Sequence, residues 1–267
     1  MAQAPMTETT DTVLLREDVA GVCTLTLNRS TQFNSLSEEL LVALQAQIDA
    51  IAGDPAIRVL VIAGAGKAFC AGHDLKQMRS NHSKEYMQTL FRQCGRLMLS
   101  LLKLPQPVSA RVHGVATAAG CQLVATCDLA VASDNARFAV SGINVGLFCS
   151  TPGVALGRAM ARKQAMDMLL TGDFIDATEA QRRGLVNSVV PLDELDAEVA
   201  RYCASISAKS SVAVAMGKQA FYKQLEMGID GAYQYAAEAM ACNMMTYDAA
   251  HGIDAFMARE KPVWRGC

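Results

Sequence analysis

Hydrophobic and polar positions alternate near the start of the chain, where Val22, Thr24 and Thr26 interleave with Cys23, Leu25 and Leu27. A period of two marks a half-buried strand, and residues 13–28 as a whole read as two short strands around a turn. The period then lengthens. Leu40, Leu44, Ile48 and Ile51 fall on one face at helical spacing, and Gly53-Asp54-Pro55 stops the helix. Ser35 with Glu38 has capping-box spacing, and Ser37 is a rival cap. Arg58–Ala63 is a short apolar run that reads as a buried strand. Strand, helix and strand in this order predict a parallel crossover.

The alternation of apolar runs and breakers continues. Residues 64–74 form a glycine-rich loop, and a longer helix covers 83–103, ending before Pro105 and Pro107. Val108–Val112 is the next strand. Gly114–Gly120 is a small-residue turn leading into a helix over 117–127, and Leu129–Ala132 is another buried strand. Residues 140–158 are predicted to be loop-rich, on the strength of Gly142, Gly146, Pro152, Gly153 and Gly157. Asp176 with Glu179 repeats the capping spacing before a short helix closed by Gly184, and Val186–Val190 is the last strand. From Leu192 to Arg259 strand signals disappear and three or four helices follow. The pattern predicts an α/β core with a helical C-terminal appendage.

Composition narrows the function classes. The 267 residues are 51% hydrophobic and 19% charged, which suits a large buried core and not a disordered chain. A net charge of −2 provides no overall basic field for nucleic acid. The first twelve residues lack the basic start and apolar block of a secretory signal peptide. The longest weakly polar stretch, Gly114–Cys127, contains Gln122 and is too short and polar to span a bilayer, so no membrane insertion is expected. Nine cysteines, none at CxxC spacing and most inside apolar runs, point to free thiols in a reducing compartment. A cytoplasmic location is expected. Residues 81–86 hold one histidine without spaced partners, so no metal site is expected.

Two segments carry candidate chemistry. Gly64-Ala-Gly-Lys-Ala-Phe69 follows a strand, but Phe69 stands where a dinucleotide fingerprint needs its third glycine. The more informative pair is Phe69-Cys-Ala-Gly-His-Asp-Leu75 and His113-Gly-Val-Ala-Thr-Ala-Ala-Gly-Cys121. Each follows a predicted strand and lacks bulk, and the second enters a helix whose first amides have no intrahelical partner. Amides converging from two such loops would form an oxyanion hole, which stabilises negative charge on a carbonyl oxygen. Either segment alone also reads as a packing turn.

Asn28-Arg29, Asn34-Ser35-Leu36, Ala68–Leu75, His113-Gly114, Ala119–Leu123, Cys127-Asp128 and Leu170–Asp173 together resemble the enoyl-CoA hydratase/isomerase (crotonase) superfamily. The resemblance runs over residues 12–265, and Gly72–Leu75, Ala116–Leu123 and Asn144–Gly153 are most similar to one of its branches. It implies a repeated ββα spiral core, residues 1–205, that binds acyl-CoA thioesters. Residues 206–267 would form a helical, oligomerising region, giving a homotrimer or a dimer of trimers. Coenzyme A would enter as part of the substrate, with no separate cofactor. By motif matching, the thioester oxygen would sit on the amides of His73 and Ala119, alanine replacing the usual glycine at 119. Coenzyme A contacts would map to Gln32, Phe33, Ala71 and Leu75, with Phe256 and Arg259 reaching it from the same or a neighbouring subunit. Core packing is the other reading of Phe256.

The chain departs from the family where it matters most. The hydratases place two glutamates across the double bond, and here those positions are Gln122 and Gly142. Neither replacement exchanges a proton near neutral pH. Ordinary hydration is therefore expected to be weak or absent. A non-catalytic acyl-CoA-binding or regulatory protein is one alternative, and a nucleotide-dependent oxidoreductase is another. Among other titratable groups, His73 reads as an exposed loop histidine, a neighbour of a CoA phosphate or a base. His113 and Asp128 read as structural, Asp74 as a loop anchor, and Cys149 as an inert thiol with nucleophilic potential.

Overall fold

In the computed structural model, which describes residues 12–267, the strands are divided between two sheets, alternating from β3 to β8. The reading of the chain's start falls on residues 1–11, outside the described range. β1 (Leu14–Val19) and β2 (Val22–Leu27) form an antiparallel hairpin. The helix α1 (Glu38–Ala52) crosses over to β3 (Val59–Gly64), which pairs parallel with β2 as the crossover predicts. Next come β4 (Ala68–Cys70), α2 (Leu75–Ser80) and α3 (Lys84–Lys103). The same unit recurs as β5 (Val108–Val112), β6 (Val115–Thr117) and α4 (Ala119–Thr126). It recurs again as β7 (Leu129–Ser133), β8 (Arg137–Ala139), α5 (Ser150–Ala159) and α6 (Arg162–Thr171). Then follow β9 (Ile175–Asp176), α7 (Ala177–Arg182) and β10 (Ser188–Val190). The larger sheet runs β1-β2-β3-β5-β7-β10 and the smaller β4-β6-β8-β9, so β3/β4, β5/β6 and β7/β8 each place one strand in each sheet before a helix. This is a repeated ββα spiral.

The larger sheet has two buried faces. Leu60 and Ile62 join Cys23, Leu25, Leu27, Leu40, Leu44, Leu97 and Leu101 in the main core. Val59 and Val61, alternating with them, pack with Val131 beneath α8 (Leu195–Ser207) through Leu195, Val199 and Cys203. A strand buried on both faces reads as a continuous apolar run, which is why the β3 segment was legible. Burying each such aliphatic side chain stabilises the fold by about 1.5–3 kcal/mol.

The short strands were not legible. β4 and β6 span three residues each and lie in the segments read as glycine-rich loop and small-residue turn, and the equally short β8 lies in a stretch given no reading. The helix α5 overturns the second half of the loop reading, residues 150–158, because Pro152 lies in its first turn, where a missing N–H costs no hydrogen bond. Ser37, and not Ser35, caps α1 by accepting from the Leu40 amide at 3.2 Å. Ser35 is occupied elsewhere, its hydroxyl accepting from Arg29 Nη1 at 3.0 Å. Asp176 does cap α7 through the Glu179 amide at 2.8 Å.

After α8 come α9 (Ser211–Leu225), α10 (Ile229–Met244) and α11 (Tyr247–Ala258), which pack on one another, with α9 also touching α3. A buried polar knot fastens them to the core. Lys218 Nζ lies 2.7 Å from Asp128 Oδ2 and donates to the carbonyls of Leu101 and Gln106 at 2.9 and 3.0 Å. The Tyr222 hydroxyl donates to Asp128 Oδ1 at 2.8 Å, and the Val108 amide to Oδ2 at 2.7 Å. Among the described residues no helix is long and apolar enough to cross a membrane.

Candidate active site

The two small-residue loops lie against each other. Gly72 has φ +91°, and a Cβ there would stand 2.9 Å from Ala118 Cβ and 3.3 Å from the Ala119 nitrogen. Further along, a Cβ on Gly120 would fall 2.1 Å from the Cys70 carbonyl oxygen, so only glycine lets the first turn of α4 approach β4 this closely. Ala118 adopts φ +51°, ψ −119°, a conformation that alanine rarely takes. Its own amide donates to the Ala139 carbonyl at 3.0 Å, and the next amide, of Ala119, opens the helix. Among the described residues, neither the Ala119 nor the His73 amide donates to a backbone carbonyl of the surrounding turns.

The loop carrying His73 is clamped from beneath. The Leu36 amide donates to the Gly72 carbonyl at 2.7 Å, and the Asp74 amide to the Leu36 carbonyl at 3.2 Å. Asp74 caps α2 by accepting from the Lys76 and Gln77 amides at 3.1 Å, and pairs with Arg29 at 3.0 Å. Desolvation pushes its carboxyl up, but the Gln77 amide, the Arg29 guanidinium and the Lys76 amide together hold it below the ordinary carboxylate range. Asp74 is thus the loop anchor the sequence suggested. Arg29 Nη1 also donates to the Ser35 carbonyl at 2.6 Å. Asn34, fully buried with φ +55°, donates from its side chain to the carbonyls of Ala65 and Ala68 at 2.8 and 2.7 Å. Sequence reasoning missed both supports; an asparagine in a turn, a residue type that tolerates the left-handed conformation, was the available signal.

The expected positions divide into two groups. The Ala71 amide donates to the Phe33 carbonyl at 3.0 Å, which joins the turn of Gln32 and Phe33 to the loop that runs through Ala71 and His73 to Leu75. Phe33 and Leu75 are exposed there. Phe256 and Arg259 stand at the end of α11, whose main neighbours are α9 and α10. Phe256 is 82% exposed, which overturns its reading as core packing.

His73 is not an exposed loop histidine. Its ring meets Phe91 of α3 edge-on, with centroids 5.5 Å apart; both ring nitrogens are shielded from solvent, and the Leu36 backbone is the polar group beside the ring. Burial pulls its pKa down to about 4, so the imidazole is neutral at pH 7. Gln122, on α4, is buried with Oε1 unpartnered. Gly142 lies in a 3-10 turn with no positive φ. A Cβ there would meet the Leu147 carbonyl oxygen at 2.5 Å and Cys149 Sγ at 2.7 Å. Position 142 thus has a steric reason to be glycine. Burial raises the Cys149 pKa, which fits an inert thiol. Thr117 Oγ1 and Ser141 Oγ, 2.8 Å apart, tie this turn to the strand before Ala118. His113 Nε2 bonds the Gly66 carbonyl at 2.9 Å, a structural role. Phe69 is a fully buried residue of β4 and the next helix begins only at Leu75, so the segment does not form a dinucleotide-binding turn.

The fold and paired loops define a crotonase-fold chain. The profile of the enoyl-CoA hydratase/isomerase family matches residues 17–267, and the chain belongs to that family. Enoyl-CoA hydratase domain-containing protein 3, mitochondrial, of Xenopus laevis is 46% identical over 95% of this chain and 85% of its own length. The crystal structure of the human protein of that name superposes with a TM-score of 0.92 at 43% identity, covering 94% of this chain and all of that one (100%). An enoyl-CoA hydratase from Mycobacterium smegmatis superposes at 0.93 with 55% identity, over 94% of this chain and 98% of its own. The branch singled out from the loop motifs is that of enoyl-CoA hydratase domain-containing protein 3. The expected cytoplasmic location is corrected by these relatives, since the Xenopus protein and its Mus musculus counterpart, 45% identical over 91% of this chain and 81% of its own length, are named as mitochondrial. Buried free thiols signal a reducing environment without identifying the compartment, so they could not carry that expectation.

Proposed function

We propose that this chain binds acyl-CoA thioesters, holds the thioester oxygen on the amides of His73 and Ala119, and hydrates enoyl-CoA slowly. The observation that carries the reading is the approach of Gly72 to the Ala119 nitrogen, with the neighbouring His73 amide also unspent. Two donors held by rigid turns favour an enolate-like oxygen without reorganising during reaction. Gln32, Phe33, Ala71 and Leu75 form the coenzyme A ridge in this reading, and Phe256 and Arg259 complete it from the same or another subunit. Residues 1–205 then serve as the binding core and 206–267 as the assembling region. No cofactor beyond the substrate's own coenzyme A is invoked.

Gln122 orients a water or substrate by hydrogen bonding but does not act as a general acid or base near neutral pH. Each missing general acid or base removes typically ~10²–10⁴-fold in rate. Loss of both does not add simply. Steady-state hydration of crotonyl-CoA by the pure protein tests this. We expect turnover far below that of a hydratase carrying both glutamates measured alongside, and a gain in Gln122→Glu. Gly142→Glu is expected to lose stability and give no gain, because the Leu147 carbonyl blocks its Cβ. A wild-type rate equal to that of the glutamate-paired enzyme would overturn the proposal. A pure acyl-CoA-binding role is the second reading, favoured by the thiol and carbonyl that fill the space beside Gly142. Binding without any detectable turnover selects it.

A further inference from the structure

The larger sheet is covered unevenly on the face turned away from the paired loops. There α8 lies over β7, β5 and β3, packing Leu195, Val199 and Cys203 against Val59, Val61 and Val131. Beside α8, over β2 and β1, the sheet stays open as a cleft of about 730 Å³. Val22, Thr24 and Val61 form its floor, and Val199, Ala200 and Ala204 its α8 wall. The cleft follows that helix from Asp196 to Ser207, a span of about 16 Å at a rise of about 1.5 Å per residue. Ala200 and Ala204 are exposed, and their small side chains leave the wall open to a ligand. Ligand clefts have this size and this character, mostly apolar with a few polar groups that fix orientation.

One end of the cleft is charged. Arg111 of β5 and Asp196 of α8 line it where β2 and β3 end, beside Thr26 and Gly64. The two pair through Arg111 Nε, and neither terminal nitrogen of the guanidinium donates a hydrogen bond among the described residues. The arginine side chain is 22% exposed and that of Asp196 is 78% exposed, so the cation is held in the wall while its partner is free to turn into solvent. Glu17, the other charged residue of the cleft, stands on β1, three strand spacings or about 14 Å from β5, and does not neutralise Arg111. A planar carboxylate matches the two unspent nitrogens of a guanidinium in bidentate fashion. An aliphatic chain attached to it would run along α8, away from the charge.

We propose that this cleft is a second ligand site, separate from the paired loops, and that it takes a free fatty acid with its carboxylate on Arg111 and its chain along α8. None of Gln32, Phe33, Ala71 and Leu75 borders the cleft, so the inference stands apart from the acyl-CoA reading.

The test is calorimetric titration of the full-length protein with dodecanoate, whose extended chain is close to the length of the cleft, and with hexanoate. One dodecanoate is expected to bind per chain, at least tenfold more tightly than hexanoate, because each further methylene is withdrawn from water. Ala204→Phe fills the exposed wall without changing charge and is expected to weaken dodecanoate at least tenfold. Arg111→Met is expected to weaken it about tenfold or more, the order for a charge-assisted hydrogen bond, and Arg111→Lys to retain part of the affinity. Saturation with butyryl-CoA is expected to leave dodecanoate binding unchanged. No binding of dodecanoate by the wild type, or affinities for the two acids within twofold of each other, overturns the proposal without any variant. Full affinity in Ala204→Phe overturns the cleft as the site, and full affinity in Arg111→Met overturns the placement of the carboxylate. Displacement by butyryl-CoA would put the fatty acid at the paired loops and overturn the second site.

Discussion

A buried neutral imidazole makes stability depend on acidity in a definite direction. The His73 value falls from 6.5 to about 4 on folding, because burial disfavours the charged ring. Above pH 6.5 neither the folded nor the unfolded chain protonates this residue, and it adds no pH dependence. As pH falls from 6.5 towards 4, the unfolded chain takes up a proton that the folded chain refuses, so stability is lost. The loss amounts to about 3 kcal/mol. His73→Gln is expected to flatten the fall in melting temperature between pH 6.5 and 4, when the two proteins are compared by thermal unfolding across that range. Parallel slopes would show that His73 is not desolvated. His113, also lowered by burial, adds to the fall in both proteins equally. Asp74 acts below that window, its lowered value giving stability that disappears as the carboxylate is protonated.

Between elements, one ion pair does more than the surface pairs. Lys218 and Asp128 are both largely buried, and desolvation lowers the lysine against the pull of its partner. Removing one partner of a buried pair leaves an uncompensated charge and costs about 3–5 kcal/mol. Lys218→Met is therefore expected to lose that much in urea unfolding, since α9 loses its link to the ends of α3 and β5. Arg201→Ala, which breaks the exposed pair with Glu198, is expected to change stability by less than about 1 kcal/mol. Equal losses in the two variants would show that the knot is not what fastens the appendage.

At the scale of the whole chain, α9 buries no apolar residue, although its Lys218 side chain is covered, and α10 buries only Ala232. Tyr233 and Met240 of α10 are 74% and 71% exposed, and Ile229 and Met245 flank them. An apolar face of this kind marks an interaction surface. The unchanged protein is expected to sediment at micromolar concentration as a trimer or a pair of trimers. Tyr233→Asp with Met240→Asp should shift it towards the monomer. A wild-type monomer under those conditions would remove the support for assembly through these helices.

Periodicity alone determined the larger sheet, α1, α3, the crossover between them and the helical end, because these elements are long enough for their apolar positions to repeat. The paired Gly/Ala loops were equally legible, since they are matters of residue type and spacing, whereas positions 122 and 142 were singled out only through the family resemblance. What lay beyond the sequence depended on neighbours distant along the chain. The three-residue strands β4, β6 and β8 show no period of their own and exist by pairing in the second sheet. Ser37 prevailed over Ser35 because Arg29 had already claimed the latter. The close approach of Gly72 to Ala119, the steric closure at Gly142 by Leu147 and Cys149, and the burial of His73 against Phe91 are contacts across sheets and helices. A sequence specifies which groups are present and their local rhythm. Whether a loop histidine meets water or a desolvated pocket is decided by what packs over it, and only the tertiary structure contains that.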